Sequence, residues 1–297
     1  MWLVLSLLAL FLWSGSDLFS KLGCQNRSEK HSPLKMVMAV GLIMGLHAGY
    51  EVVINDVIFS WQVIWAYLPI SALYIISMAI GYFGLRYIEL SVSSPICNTS
   101  GALVVVFYML MGARPEGVIL VGVGFTLIGI IGLGIAEYTE DEVARAERQK
   151  ASNMKYHKSF LAIALPIVYS LIDAGGTFAD SLILENLDEA QANVAYEFTF
   201  FVTGLVVFII LLIRGEFELT KSDRPKMIAS VFETGGQVAY IYAIGANPIT
   251  AAPIISCYCL LTVIWGRIFL KEKLSWKHYT SIGLAITGII LLAIFDQ

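Results

Sequence analysis

Long apolar runs alternate with short polar breaks from one end of the chain to the other. They cover roughly 2–22, 34–54, 63–86, 92–111, 116–136, 159–180, 190–213, 226–245, 250–270 and 276–295. Each is close to the length of about 20 residues that an α-helix needs to cross the hydrocarbon core of a bilayer. The pattern predicts ten transmembrane helices and an all-α integral membrane fold. One connection is long, EYTEDEVARAERQKASNMKYHK at Glu137–Lys158, and it carries charge of both signs. It predicts a linker between a first unit over 1–136 and a second over 159–297. The first run lacks a basic leader and is followed by nine more, so it reads as a mature helix and not as a signal peptide.

Composition agrees. The 297 residues are 58% hydrophobic and 14% charged, with a mean hydropathy of +0.76. Soluble domains carry nearer a quarter charged residues. The expectation is a multi-pass protein of the plasma (inner) membrane with no sizeable soluble domain and no nucleic-acid partner. The net charge of −4 says less than its distribution. Numbering each loop by the helix it follows, the odd loops and their flanks hold eighteen of the 19 Lys and Arg, and the even loops hold Arg114 alone. Basic residues stay on the cytoplasmic side. Both termini are therefore expected outside, with the Glu137–Lys158 loop in the cytoplasm. Cys24, Cys97, Cys257 and Cys259 give no framework: Cys257 and Cys259 point about 200° apart on a helix and read as small apolar fillers.

The two halves resemble each other. GVGFTLIGIIGLGI (122–135) and SIGLAITGIILLAI (281–294) share a five-residue glycine spacing, Gly124/Gly129 and Gly283/Gly288. GYFGLRYIELSVSSPI (81–96) lies over AYIYAIGANPITAAPI (239–254), pairing Tyr82 with Tyr240 and Pro95 with Pro253. LWSGSD (12–17) lies over VYSLID (168–173), pairing Trp13 with Tyr169, Ser14 with Ser170 and Asp17 with Asp173. Five helices per half is an odd number, so the second repeat must be inverted relative to the first. That is a plan of secondary transporters, whose sites lie near the midplane between repeats.

On these residues the chain resembles the drug/metabolite transporter superfamily, in its EamA-like branch. RIFLKEKLSWKHYTSIGLAITGIILL (267–292), a short acidic-basic turn before a glycine-patterned helix, looks like that family's repeat ending. The resemblance implies transport, and a cavity between the repeats lined mainly by the first, third and fourth helices of each. Two features depart from the family: its members usually have cytoplasmic, basic termini, and GARPE (112–116) is an irregular counterpart to the turn at Glu272.

Charged residues at helix centres cost roughly 2.5–3.5 kcal/mol on insertion scales, so they face a cavity or a partner. Four carboxylates stand in that position: Asp17, Asp173, Glu197 and Glu233. Asp17 also has Lys21 four residues on, which offers a purely local pair. Asp173 has no such partner and precedes Gly175-Gly176. Glu233, Gln237 and Tyr240 follow i, i+4, i+7, one polar stripe. Glu51, Asp56, Glu89 and Asp180 fall near predicted helix ends and read as interfacial. The candidate binding residues are Trp13, Asp17, Tyr82, Asn98, Tyr169, Asp173, Glu233, Gln237, Tyr240 and Tyr258. Asp173, Glu197 and Glu233 are the candidates for proton coupling. Gly41, Gly45 and Gly49 form a close-packing face, within the bundle or in a homodimer.

Carboxylates among aromatic faces suit a small organic cation, held by charge and cation–π contact. The expected function is proton-coupled secondary transport of an amine-bearing metabolite by alternating access, with export of amino acids or other neutral or zwitterionic metabolites as the alternative. No catalytic constellation, P-loop or metal-ligand motif stands in the sequence. Neither enzyme activity nor a cofactor is expected.

Overall fold

The computed structural model describes residues 2–25, 29–112, 114–139, 160–184, 186–246, 255 and 257–295. The described elements are α1 (Trp2–Cys24), α2 (Ser32–Val53), α3 (Trp61–Gly84), α4 (Leu90–Cys97), α5 (Ser100–Leu110), α6 (Gly117–Thr139), α7 (Phe160–Ile183), α8 (Glu189–Ile213), α9 (Arg224–Ala246), α10 (Tyr258–Ile268) and α11 (Trp276–Phe295). A single 3-10 turn, Lys221–Asp223, precedes α9. There is no strand among the described residues. Six spans are long and apolar enough to cross a membrane by length and composition, α4 and α5 counting together as one. Leucines, isoleucines and valines lie exposed along them, as a lipid-facing surface requires. The chain is a multi-pass integral membrane protein.

The predicted fourth span is two helices. Pro95 removes a backbone donor. The chain then turns at Asn98 and Thr99, where Thr99 Oγ1 donates to the Ile96 carbonyl at 2.6 Å and Asn98 Nδ2 to the Ser94 carbonyl at 3.0 Å. The other end of α4 is held by Glu272, from the turn before α11. Its carboxylate accepts from the backbone N–H of Leu90 at 2.8 Å and of Ser91 at 2.9 Å. An anion at a helix N-terminus satisfies donors that the helix cannot. Much of the Glu137–Lys158 linker and the start of the predicted ninth span, including Pro253, lie outside the described residues.

Packing between the halves is reciprocal. α1 lies along α9 and α3 along α7, while α2 pairs with α8, α4 with α10 and α6 with α11. Gly41 and Gly45 serve the α2–α8 contact: a Cβ on Gly41 would stand 2.6 Å from the Phe200 carbonyl, and one on Gly45 would meet the Phe201 ring. These two glycines are used within the chain, and Gly49 faces open space.

Below the bundle, at the α1–α2 loop and the α8–α9 connection, four buried or half-buried charges form a ring. Lys35 Nζ lies 2.5 Å from Glu29 and 3.4 Å from Asp223; Lys226 Nζ lies 2.7 Å from Asp223 and 3.2 Å from Glu29. Burial works to raise the pKa of Asp223. The hydrogen bonds from Lys226 and the Thr220 N–H, with the charges of both lysines, outweigh it and lower the value from 3.8 to about 2.

Candidate functional site

A cavity of about 510 Å³ lies between the halves. It runs from the exposed Glu189 at the α7–α8 turn down to Ser20, Leu85 and Leu90, all buried. It is therefore open towards the α7–α8 turn and closed at the end where the charged ring sits.

Both first-helix pairs face it: Trp13 and Asp17 from α1, Tyr169 and Asp173 from α7. The polar stripe of α9 enters as Glu233, Gln237 and Tyr240, while Tyr82 comes from α3 and Tyr258 from the start of α10. Asn98 is not on the wall; it binds the Ser94 carbonyl and the Tyr258 side chain at the break of the fourth span. Glu197 is also off the wall. It is fully buried between α8 and α2, where both of its oxygens meet His47 Nδ1, at 2.9 and 2.8 Å.

Hydroxyls hold the carboxylates in place. Ser94 donates to Asp17 Oδ2 at 2.7 Å and Thr262 approaches the same oxygen at 3.3 Å. Ser77 and Ser100 lie near Asp173, and Ser16 near Glu233. Lys21 turns away from the cavity to the carbonyls of Leu85, at 2.6 Å, and Ile88, where the α3–α4 turn leaves acceptors free. The matched serines both reach across the halves: Ser14 accepts from Trp265 Nε1 at 3.2 Å, and Ser170 lies 2.8 Å from Thr99 Oγ1.

Asp180 is a correction. Expected at the interface, it lines the cavity and accepts from Tyr67 at 2.7 Å and Tyr74 at 3.4 Å. Asp173, Thr177 and Asp180 follow i, i+4, i+7, the same stripe pattern that marked Glu233, so the signal was in the sequence. Asn193 and Tyr196 also line the wall. No Lys, Arg or His lines it among the described residues. The aromatic faces gather around Trp13, whose ring centroid lies 5.2 Å from Tyr240 and 5.8 Å from Tyr258. Two buried donors on the wall, Trp13 Nε1 and Tyr82 Oη, have no hydrogen-bond partner among the described residues.

Residues 160–294 match the EamA-like transporter family. The matched segment is the second half of the chain. It comprises α7 to α11, and so supplies Asp173, Glu233, Gln237, Tyr240 and Tyr258 to the cavity. This agrees with the resemblance read from the repeat endings. Curated relatives carry the name probable 4-amino-4-deoxy-L-arabinose-phosphoundecaprenol flippase subunit ArnE. The protein of Aeromonas hydrophila is 33% identical over 74 residues, 24% of this chain and 65% of the relative. That of Aeromonas salmonicida is 34% identical over 70 residues, 23% and 61%. That of Hamiltonella defensa is 30% identical over 66 residues, 22% and 60%. Each match covers less than two thirds of the relative's own length.

Proposed function

We propose that this chain is a secondary active transporter of a small amine-bearing metabolite, coupled to protons and working by alternating access. The observation that carries the reading is a cavity walled by Asp17, Asp173, Asp180 and Glu233 with no basic side chain facing them among the described residues. Such a wall favours a cation, and Trp13, Tyr240 and Tyr258 offer it π-faces. A carboxylate that neutralises an ammonium cannot hold a proton at the same time, and that competition is the coupling. The unpartnered donors of Trp13 and Tyr82 favour cargo that also brings an acceptor oxygen, such as an amino alcohol or amino sugar, over a bare quaternary ion.

The reciprocal helix packing supports two inverted five-helix repeats, 1–136 and 159–297, that rock about this cavity. The basic loops support an orientation with the α7–α8 turn outside. A second reading, an amine-bearing headgroup carried on a lipid, is favoured by what the curated relatives are named for.

The test is proton flux in proteoliposomes with a trapped pH dye, challenged with amino alcohols, amino sugars, amino acids, quaternary ammonium ions and anions. Wild type and an Asp173→Asn, Glu233→Gln double variant are compared. A proton signal evoked by amines and lost in the variant is expected. Uptake of neutral or zwitterionic solutes with no response to amines would overturn the cation reading in favour of metabolite export. Protection of an amine-bearing undecaprenyl lipid from an impermeant amine reagent would favour the headgroup reading.

A further inference from the structure

Glu197 and His47 lie outside the cavity yet one helix turn from its wall. On the inner side, Asn193 stands four residues before Glu197 on α8, so their side chains share a face, and Gln237 Nε2 donates to Asn193 Oδ1 at 3.3 Å. Asn193 and Gln237 are both on the cavity wall. On the outer side, His47 Nε2 lies 3.3 Å from Glu51 Oε1, and Glu51 Oε2 accepts from the exposed Asn55 at 2.9 Å. Among the described residues the charged groups facing the imidazole are Glu197 from α8 and Glu51 from its own helix; the Tyr50 ring stands 6.3 Å away.

We propose that Glu51, His47 and Glu197 form a proton-loading site entered from the α2–α3 loop. Its occupancy sets, through Asn193, which end of the Gln237 amide faces the cargo. This rests on the proton-coupled reading above.

The polarity of the chain follows from donors and acceptors. An ionised Glu197 only accepts, so Asn193 gives it an N–H and keeps its oxygen for Gln237 Nε2. Gln237 is then left with its carbonyl oxygen free for the cavity, an acceptor suited to an amine. Loading moves a proton from the Glu51 side onto His47 Nε2 while the Nδ1 proton passes to Glu197. The imidazole ends neutral and Glu197 ends as a carboxylic acid that donates to Asn193 Oδ1. Asn193 must then give its N–H to the Gln237 oxygen, and Gln237 turns its N–H towards the cavity. A proton at Glu197 thereby weakens the site for an amine without entering the cavity. Amides carry no proton in this scheme; they transmit only orientation.

The experiment has two arms on the full chain in lipid nanodiscs and vesicles. In pH-difference infrared spectra, wild type should show a protonated-carboxyl band that is absent in Glu197→Gln and displaced in both His47→Gln and Asn193→Leu. No band lost in Glu197→Gln overturns the loading site. A band unmoved by Asn193→Leu overturns the link to the cavity. In the second arm, ethanolamine binding is measured against pH. The pH-dependent part of the affinity should fall on the order of tenfold in His47→Gln, the size of an ordinary coupling between sites. Asn193→Leu should remove the same part, and the double variant no more than either alone. Wild type that fails to bind ethanolamine counts against the amine reading, while the infrared arm still decides the loading site. Wild type that binds with a pH dependence untouched by His47→Gln overturns the inference and leaves the amine reading standing.

Discussion

The indole of Trp13 occupies the space that a side chain at position 236 would need. A Cβ on Gly236 would stand 2.5 Å from Trp13 Cδ1 and 2.8 Å from its Nε1. The matched aromatic of the other half stands in the same relation to α3: a Cβ on Gly81 would lie 2.9 Å from the Tyr169 ring. Each first-helix aromatic is thus seated on a glycine contributed by the opposite half. Gly236→Ala and Gly81→Ala should each destabilise by about 1–3 kcal/mol, the usual cost of overpacking. Both should also weaken amine binding, because the displaced ring is a cavity wall. Thermal unfolding in detergent and counterflow affinity, measured on the same preparations, check the pair.

The Glu272 carboxylate is the cap of a helix in the other half of the chain. Glu272→Ala leaves two buried backbone N–H groups without an acceptor, at about 1–3 kcal/mol for each buried donor left unsatisfied. A marked fall in melting temperature is expected. Gly266→Ala should act through the same contact, since a Cβ there would come within 2.6 Å of Glu272 Oε2. An Ala variant at 272 that melts with wild type would remove the cap from the account of α4.

Tyr67→Phe deletes the shorter of the two hydrogen bonds to Asp180. Bonds to a charged group contribute about 1.5–3 kcal/mol. Part of that should appear as lost stability, and the rest as a change in amine affinity as the freed carboxylate turns to the cavity. Tyr74→Phe, at 3.4 Å, should do less. Equal effects from the two variants would mean that Asp180 does not depend on these distances.

Acid should loosen the closed end of the molecule. Asp223 is held at about 2 when folded, against an ordinary 3.8. Its contribution is full above the ordinary value, where folded and unfolded chains are both ionised. It is lost as pH falls from about 4 to about 2, because the unfolded chain takes up the proton first. Wild-type melting temperature should drop through that window. Asp223→Asn should melt lower at neutral pH and lose that portion of the slope.

Much of the cavity was legible because membrane insertion makes an intraspan carboxylate conspicuous and helix periodicity assigns it a face. Asp17, Asp173 and Glu233 stood out on that ground, and repeat pairing added Trp13, Tyr82, Tyr169 and Tyr240. What escaped the sequence is chemistry whose two partners are far apart in it. His47 and Glu197 are 150 residues apart, and Glu272 lies about 180 residues beyond the helix it caps. No spacing rule joins such pairs, since only the packing of α2 on α8 and of α4 on α10 does so. Asp180 was missed for another reason. Its nearness to a helix end suggested water, whereas the cavity reaches that end and the two tyrosines of α3 enclose it. The break in the fourth span was likewise masked, because hydropathy averages over the turn at Asn98 and Thr99.

The ring of Glu29, Lys35, Asp223 and Lys226 sums to zero charge. Any step that parts or shifts it as a unit moves no net charge through the transmembrane field, which acts with about 2.3 kcal/mol per charge per 100 mV. The membrane potential therefore has little purchase on that ring. Electrogenicity in a transport cycle would then be sought in the cavity carboxylates with what they carry and in the proton held between Glu51 and Glu197, and the current per turnover would report their summed charge.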